Sequence, residues 1–465
     1  MNNAPSRARR RALAAALLAL AGSVAAVPVL AAATAAPDRV VRAILAAYYA
    51  VVAVIVVYTI RHMVFTLNRL FGRQRHPYVD IDTADWPTVT VLVPAHDEEA
   101  VIGNCLEALL DVDYPPGRMV IMPIDDRSTD GTRAIIERHA AAEPDRLRPV
   151  FRVDGPPGKA AAIQSVTDRL ESELVIVFDA DYVPGRGLIK QLAAPFFDPE
   201  VGAVMGRVVP ENTASNLLTR LLDLERAGGY QVDQQARMNL GLVPQYGGSV
   251  GGTRSDLLRQ LGGWRMDALA EDTDLTYRLL LAGYKVIYQN RCECYEEVPE
   301  DWRERNRQIM RWAKGHNQVA WRHLGGVLRN PHLGALERLD AVLLLFVYLI
   351  APLLLAGWAC ALSLYLLGAS VPGSTTVVLL LAAFAGLGNF AAFFEMAAAV
   401  HLDGSGARVR LLPLGFFSFL ASFVNIIRAA ASLAIGDALL GRDLHWAKTA
   451  RYRRNGDADS GEVPQ

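Results

Sequence analysis

The sequence predicts an α/β domain with a mostly parallel sheet, inserted between N-terminal and C-terminal transmembrane helices. Two observations predict this arrangement. Residues 12–60 and 341–440 are strongly apolar, whereas residues 61–335 have the composition of a soluble protein. Within that central part, short apolar runs alternate with stretches of helical character, and repeated β-α units are typical of a parallel sheet covered by helices.

The 465 residues are enough for two to four domains. We divide them into a membrane region (1–65), an α/β domain (66–330), a second membrane region (331–440) and a cytosolic C-terminal segment with a disordered tail (441–465). The net charge of −1 gives no indication of a nucleic-acid partner. The four scattered cysteines are interpreted as free thiols.

Apolar runs and the turns between them predict the order of the elements. The predicted strands are Thr88–Ala95, Arg118–Asp125, Arg148–Val153, Leu174–Asp179, Val201–Val208 and Lys285–Gln289. The predicted helices are Glu98–Leu110, Asp130–Ala142, Lys159–Leu170 and a long one over Ser215–Asn239. Right-handed crossovers place the ends of parallel strands at one edge of a sheet, so we expect the residues after these strands to share one site.

The apolar termini predict a multi-pass protein of the cell membrane. Residues 12–36 follow a cluster of arginines and form either a signal peptide or a first span. A second run, 43–60, ends in Arg61 and His62, so the positive-inside rule places the α/β domain in the cytosol in either case. Residues 341–367 and 376–402 can each span, whereas basic residues at both ends of 411–440 favour an interfacial helix or a broken hairpin.

Two aspartates follow the most apolar predicted strand. Asp179 and Asp181 are one residue apart at the end of the run Val175–Phe178. Carboxylate oxygens at the carboxyl end of a buried strand suit a hard cation such as Mg²⁺ or Mn²⁺, which usually shares its ligands with phosphates. An Asp-x-Asp pair is weak by itself, and the motifs around it give it weight.

Segments after the first two strands have the composition of a nucleotide site. Pro94, His96 and Glu98 lie where a strand passes into a helix, and the free N–H groups of such a helix suit a nucleotide. The carboxylates of Asp125 and Asp126 are able to accept the N–H of a uracil ring or to bind ribose. A helix start with acidic dipole matching and a capped turn are the structural alternatives.

Two later segments supply charges suited to catalysis. Lys159 follows a tight Gly-Pro loop, where its ammonium group suits a diphosphate or is simply a surface charge. Glu271 and Asp272 open a helix, and a carboxylate there is able to take a proton from an attacking hydroxyl. Compensation of the helix dipole is the alternative for this pair.

Gln308, Arg311 and Trp312 stand at positions i, i+3 and i+4 and therefore share one helix face. Arg311 is placed to neutralise a leaving diphosphate, and Trp312 to stack on an acceptor sugar. An amphipathic helix lying on a bilayer is also compatible, because Trp302 and Trp321 interleave with many arginines. In order, the motifs describe inverting sugar transfer, in which cations stabilise a nucleoside diphosphate and a carboxylate activates the acceptor.

With these motifs in this order, residues 85–325 resemble the membrane-embedded, processive family 2 glycosyltransferases, such as cellulose, hyaluronan and poly-N-acetylglucosamine synthases. The most specific element is Gln308-x-x-Arg311-Trp312, placed after Glu271 and Asp272. The resemblance implies a GT-A fold, a UDP-sugar donor and Mg²⁺ or Mn²⁺ held by the Asp-x-Asp pair.

The resemblance also implies roles for single residues. Asp125 and Asp126 would contact the uridine, Asp272 would be the base, and Trp312 would line the acceptor site at the mouth of a channel. A C-terminal segment looks like the gating loop that closes over the donor, and its donor-binding residues would be Trp446, Lys448, Thr449 and Arg451. Arg127 departs from the pattern, because many relatives carry glycine there.

The resemblance makes a polymerase the leading interpretation. It would use UDP-N-acetylglucosamine or UDP-glucose to extend a β-linked polysaccharide across the lipid bilayer, with export proteins or a homo-oligomer as possible partners. A non-processive transferase that makes a glycolipid and an inactive sugar-binding scaffold are the rivals. Glu395, within an apolar span, would face a translocation path, pair with Arg428 or reach water near the end of the span.

Overall fold

The computed structural model describes residues 38–76, 85–369 and 391–432. Eight strands form one sheet of order β3-β2-β1-β4-β7-β6-β8-β5. In chain order the strands are β1 (Val89–Ala95), β2 (Met119–Asp126), β3 (Val150–Arg152), β4 (Leu174–Val177), β5 (Val183–Pro184), β6 (Val201–Pro210), β7 (Gly251–Arg254) and β8 (Lys285–Glu296).

Helices precede, connect and follow the strands. In the α/β part they are α2 (Ile102–Leu110), α3 (Thr132–Ala142), α4 (Lys159–Thr167), α5 (Leu188–Ala193), α6 (Leu217–Ala227), α7 (Gln235–Leu240), α8 (Ser255–Gln260), α9 (Glu271–Leu281) and α10 (Trp302–Arg329). The flanking helices are α1 (Asp38–Phe71), α11 (Ala335–Leu345), α12 (Ile350–Leu366), α13 (Ala391–Leu402) and α14 (Gly415–Ser432).

The predicted mostly parallel α/β sheet is confirmed. β1 pairs in parallel with β2 and β4, β2 with β3, and β6 with β8. Sequence analysis missed β7, which is antiparallel to β4 and β6, and β5, which is antiparallel to β8. β7 contains two glycines, and a Cβ atom at Gly252 would lie 2.6 Å from the carbonyl oxygen of Val175. Close packing of the backbones therefore selects glycine there, and this hides the strand from propensity rules.

Both faces of the central sheet are buried. Along β1, Val91 and Val93 belong to one apolar cluster, which includes Ile102 of α2, whereas Leu92 belongs to a second cluster with Ile163 of α4. Side chains alternate between the two faces of a strand, so a strand covered on both sides is apolar at every position. This explains why β1 and β4 read as continuous apolar runs.

The predicted long helix over Ser215–Asn239 contains a wide turn. α6 passes into a seven-residue π-helical segment, Gly228–Gln234, and then into α7. Ala227 and Val232 pack in one apolar cluster with Phe65 of α1 and Ala399 of α13. Such wide turns are rare and occur often at functional sites. This segment joins the α/β part to the flanking helices.

Three described helical segments are long and apolar enough to cross a membrane: Arg39–Phe71, Val347–Leu366 and Gly406–Ser432. The last begins as a 3₁₀ helix, Gly406–Leu414, and continues as α14. The predicted first run, 12–36, lies outside the described residues, as does the first part of the predicted span 376–402, of which α13 is the end.

A buried carboxylate fastens α9 to α10. The side chain of Asp274 is 0 % exposed and accepts hydrogen bonds from Arg278 at 2.8 Å, from His323 at 2.8 Å and from Arg322 at 3.3 Å. Burial alone would raise the pKa of Asp274, but the hydrogen bond from His323 and the charge of Arg278 hold it well below its usual value. The helix that begins with Glu271 is thereby fixed against the helix that carries Gln308 and Arg311.

We expect the change Asp274→Asn to lower the stability of the domain by about 3–5 kcal/mol, because it leaves buried cations without their counter-charge. The apparent Tm of the purified protein measures this. Asp267→Asn is the matched control: Asp267 also pairs with Arg322, at 2.9 Å, but its side chain is 61 % exposed. That change should cost less than about 1 kcal/mol. Equal shifts for the two variants would contradict a buried anchoring role for Asp274.

Candidate active site

A cavity of about 1220 Å³ lies at the carboxyl edge of the parallel strands. Most of the predicted site residues line it: Pro94, His96, Glu98, Asp126, Lys159, Asp179, Asp181, Glu271, Asp272, Gln308, Arg311 and Trp312. Asp125 does not line it; this side chain is 2 % exposed and accepts a hydrogen bond from the N–H of Ser128. Trp446, Lys448, Thr449 and Arg451 lie outside the described residues.

Asp179 and Lys159 form the centre of the cavity. The Nζ atom of Lys159 lies 2.6 Å from an oxygen of Asp179, just beyond the end of β4. Burial would lower the pKa of Lys159, but the carboxylates of Asp179 and Glu271 outweigh it and raise that pKa, so the ammonium group is charged. Asp181, two residues on, lines the same cavity. Carboxylate oxygens attract cations, and the binding of a divalent metal by Asp179 and Asp181 stays a prediction.

Glu271 and Asp272 open α9 beside this centre. The N–H of Thr273 donates to Asp272 at 2.6 Å, which orients the carboxylate. Burial raises the pKa of Asp272. Burial and the charge of Asp272 raise the pKa of Glu271 to about 7, although Lys159 opposes this. Gly248, at a φ of +74°, faces the pair, and a Cβ atom there would lie 2.9 Å from the Cβ of Asp272.

Asp126 organises one part of the cavity wall. One of its oxygens lies 2.6 Å from Arg152 and 3.1 Å from Arg127, and the other accepts the N–H of Gly158 at 2.8 Å. The carboxylate therefore ties the Gly-Pro loop to the end of β2. His96 contacts the carbonyl oxygen of Asp126 at 2.8 Å. Sequence analysis missed Arg152, because nothing in a three-residue strand shows which basic residue has a buried partner.

Among the described residues, three other than glycine have positive φ angles: Asp97 (+52°), Arg127 (+62°) and Val250 (+51°). Asp97 and Arg127 follow the ends of β1 and β2, and Val250 precedes β7. A left-handed backbone costs about 1–2 kcal/mol for such residues, and it occurs often where a site imposes it. This is the physical reason why glycine suits position 127. Arg127 offsets part of the cost by binding Asp126 and the carbonyl oxygen of Gly155.

The motif on α10 is tied into the protein. Gln308 accepts a hydrogen bond from Arg305 at 2.7 Å. The guanidinium carbons of Arg226 and Arg305 lie 5.1 Å and 5.4 Å from the centre of the Trp312 ring. Cation–π contacts of this kind fix an aromatic ring. Stacking of an acceptor sugar on Trp312 stays a prediction, and Arg311 lines the cavity as expected.

His316 is a cavity residue that sequence analysis missed. Its Nε2 atom lies 3.2 Å from the hydroxyl of Thr273, and its ring centre is 4.8 Å from that of Tyr348. Burial lowers the pKa of His316 to about 4, so the ring is neutral at pH 7. His316 stands four residues after Trp312, on the same helix face. This helical spacing from Trp312 is the sequence feature that indicates His316 as a site residue.

The cavity continues from the carboxylates to the flanking helices. Residues near the start of α13 and along one side of α14 line its far end: Ala392, Met396, Gly415, Ser418, Phe419, Ser422 and Ile426. Leu344, Val347 and Tyr348 complete this part. One continuous space therefore connects the charged centre with segments that are apolar enough to cross a membrane.

Glu395 binds His62, at 2.7 Å, rather than Arg428. The predicted pairing with Arg428 is wrong, because Arg428 donates to Asn425. Glu395 is 5 % exposed, so it does not reach water near the end of the span.

The pairing with Arg428 could not be read from the sequence, because tertiary packing decides which helices are in contact. A role for Glu395 in a translocation path stays a prediction. The ligand atoms of His62, Asp233 and Glu395 lie within 4.8 Å of one another, a spacing that suits a metal ion. Asp233, however, already binds Arg61 at 3.2 Å and Arg237 at 2.5 Å. These guanidinium groups neutralise the cluster, and we interpret it as a structural ion-pair network.

The sheet and the carboxylates at its edge define a domain of the GT-A class. Residues 87–315 match the family model described as "Glycosyltransferase like family 2". This match supports a glycosyltransferase family 2 domain in this part of the chain, and the predicted fold class is confirmed. The processive subtype is not established by this match.

The chain is similar to three curated bacterial proteins. It is 32 % identical to a probable glycosyltransferase, YdaM, of Bacillus subtilis, over 51 % of this chain and 57 % of the relative. It is 30 % identical to a beta-monoglucosyldiacylglycerol synthase of Nostoc sp., over 62 % and 61 %. The protein of the same name from Synechocystis sp. is 32 % identical, over 60 % and 59 %. The chain thus spans about three fifths of the length of these relatives.

A solved structure has the same fold. It is the mannosyltransferase PcManGT from Pyrobaculum calidifontis in complex with GDP-Man and Mn²⁺, with a TM-score of 0.55. The match covers 85 % of this chain and 99 % of that one at 22 % identity.

We expect activity to fall as the pH drops through about 7, because the Glu271–Asp272 pair then holds a proton that a general base must lose. The pH profile of kcat/KM measures this. Glu271→Gln removes the neighbouring negative charge, so the acid limb should move to lower pH. An acid limb at the same pH in wild type and Glu271→Gln would contradict the coupling of the two carboxylates.

Proposed function

We propose that this chain transfers a sugar from a nucleotide sugar to the hydroxyl of a membrane lipid. One observation carries the proposal: a single cavity connects Asp179 and Asp272 with Ser418 and Phe419 of α14. A lipid can therefore lie against the flanking helices while its head group reaches the carboxylates. The similarity to two proteins named beta-monoglucosyldiacylglycerol synthase supports the same acceptor class. The α/β domain would then lie in the cytosol, beside the inner leaflet.

The donor in this proposal is a UDP-sugar, with glucose as the sugar that the names of the relatives favour. Asp179 and Asp181 would hold a divalent cation, which supplies electrostatic stabilisation of the diphosphate. Lys159 and Arg311 both line the cavity, and their positive charges would stabilise the same diphosphate leaving group. Asp126 and its loop would hold the uridine end.

Asp272 is the proposed general base. The acceptor oxygen attacks the anomeric carbon, its proton passes to Asp272, and the bond from that carbon to the diphosphate oxygen breaks. Attack from the face opposite the leaving group inverts the anomeric configuration. The hydrogen bond from Thr273 holds the carboxylate in position for this step.

A processive polymerase remains the second candidate. The sequence feature that favours it is Gln308-x-x-Arg311-Trp312, all three of which line the cavity. A growing glycan would then occupy the space that we assign to the lipid. Product length separates the two: a polymerase yields long chains, whereas the proposed enzyme adds one sugar to each lipid.

We expect Asp272→Asn to lower sugar transfer to diacylglycerol by about 10²–10⁴-fold, the usual contribution of a general base. The assay uses the protein in nanodiscs with diacylglycerol, UDP-glucose and Mg²⁺ or Mn²⁺, and measures the glycolipid by mass spectrometry. Asp256→Asn is the control, because that side chain is 81 % exposed and pairs only with Arg259 in the described structure. A wild type that makes polymer and no glycolipid would refute the lipid acceptor.

Removal of divalent cations should abolish transfer, since the diphosphate then leaves without its main counter-charge. EDTA followed by added Mn²⁺ or Mg²⁺ tests this. Asp179→Asn should raise the metal concentration needed for half-maximal activity, because one ligand carboxylate is lost. Asp198→Asn is the matched control, since Asp198 does not line the cavity and lies 3.9 Å from Lys285 instead. Full activity in EDTA would overturn the metal assignment.

A further inference from the structure

The two sides of α14 differ in chemistry. Phe416, Phe417, Leu420 and Val424 are 42–60 % exposed on one side. On the other side, Gly415, Ser418, Ser422 and Ile426 line the cavity at helical spacing. A helix in a bilayer places apolar residues toward lipid and polar residues toward a cavity. The hydroxyl-bearing side of α14 therefore belongs to the cavity wall.

The hydroxyl of Ser418 is a buried donor without a partner. Ser418 is 5 % exposed, and its Oγ has no hydrogen-bond partner within the described part of the chain. Three other hydroxyl groups in the candidate spans form hydrogen bonds within their own helices. Thr59, Thr66 and Ser363 each donate, at 2.8 Å, to the carbonyl oxygen four residues earlier. Ser418 has no such bond within the described part of the chain.

The surroundings of Ser418 restrict what can satisfy it. Phe419 and Ile426 of the same helix and Met396 of α13 also line this end of the cavity, and all three are apolar. An unpaired hydroxyl among such side chains costs free energy. A ligand that is apolar overall and carries an isolated hydrogen-bond acceptor matches this environment.

We propose that Ser418 donates a hydrogen bond to an ester carbonyl of a diacyl acceptor lipid and so helps to select ester-linked lipids. This inference rests on the proposed function. An ester carbonyl only accepts hydrogen bonds, and it lies between the hydroxyl head and the acyl chains of diacylglycerol. Ser418 lines the same cavity as the carboxylates and as the apolar side chains of Phe419 and Ile426, so one diacyl lipid can reach all three kinds of group.

The test compares two acceptors that differ only at this group. Diacylglycerol and a dialkylglycerol of equal chain length have the same free hydroxyl, but the ether lipid has no carbonyl. The wild type in nanodiscs with UDP-glucose should prefer the ester by about three- to tenfold in kcat/KM, the value of one hydrogen bond. Ser418→Ala should bring this ratio close to one through a higher KM for the ester, whereas Ser418→Thr, which keeps the hydroxyl, should retain most of it.

Ser363→Ala is the matched control, because Ser363 is also a buried serine of a candidate span but is satisfied within α12. It should keep the wild-type ratio. An equal rate with both lipids in the wild type, or an unchanged ratio in Ser418→Ala, would overturn this inference and leave the proposed function standing. If the enzyme transferred sugar to neither lipid and made a polymer instead, both this inference and the proposed function would be overturned.

Discussion

The structure depends on keeping negative charge together at one edge of the sheet. Asp179, Asp181, Glu271 and Asp272 all line one cavity, and carboxylates in such a place repel one another. Lys159 binds Asp179 directly, and burial together with the charge of Asp272 raises the pKa of Glu271. In the proposed function, this concentration of carboxylates is what would draw in a metal and its diphosphate.

The scaffold around this charge is correspondingly rigid. The short backbone between β4 and Asp179 fixes one pair of carboxylates, and the start of α9 fixes the other. Asp274, three residues after the start of α9, is a further carboxylate, but there each oxygen has an arginine partner, Arg278 or Arg322. The same helix thus has one side that holds the fold through ion pairs and another side whose carboxylates face the cavity.

Sequence patterns predicted six of the eight described strands, and most of the predicted site residues line the cavity, because strand ends and motif order carry that information. They did not predict partners. Asp126 was predicted to contact a ligand, but its carboxylate forms an ion pair with Arg152. Glu395 was predicted to pair with Arg428, but it binds His62. Contacts between residues that are distant in sequence depend on how strands and helices pack, which no local pattern encodes. His316 was visible in the helical spacing and was overlooked.

The π-helical turn at Gly228–Gln234 has a consequence for how this chain can change in evolution. Each residue turns a helix by about 100°, so losing one residue from the wide turn would rotate everything that precedes it relative to everything that follows. Gly229 and Gln234, which both line the cavity, would no longer face the same space as Glu225 and Arg237. Substitutions in this segment can accumulate, but insertions and deletions should be purged. Among descendants of this chain, the length of the segment should therefore be more constant than its sequence.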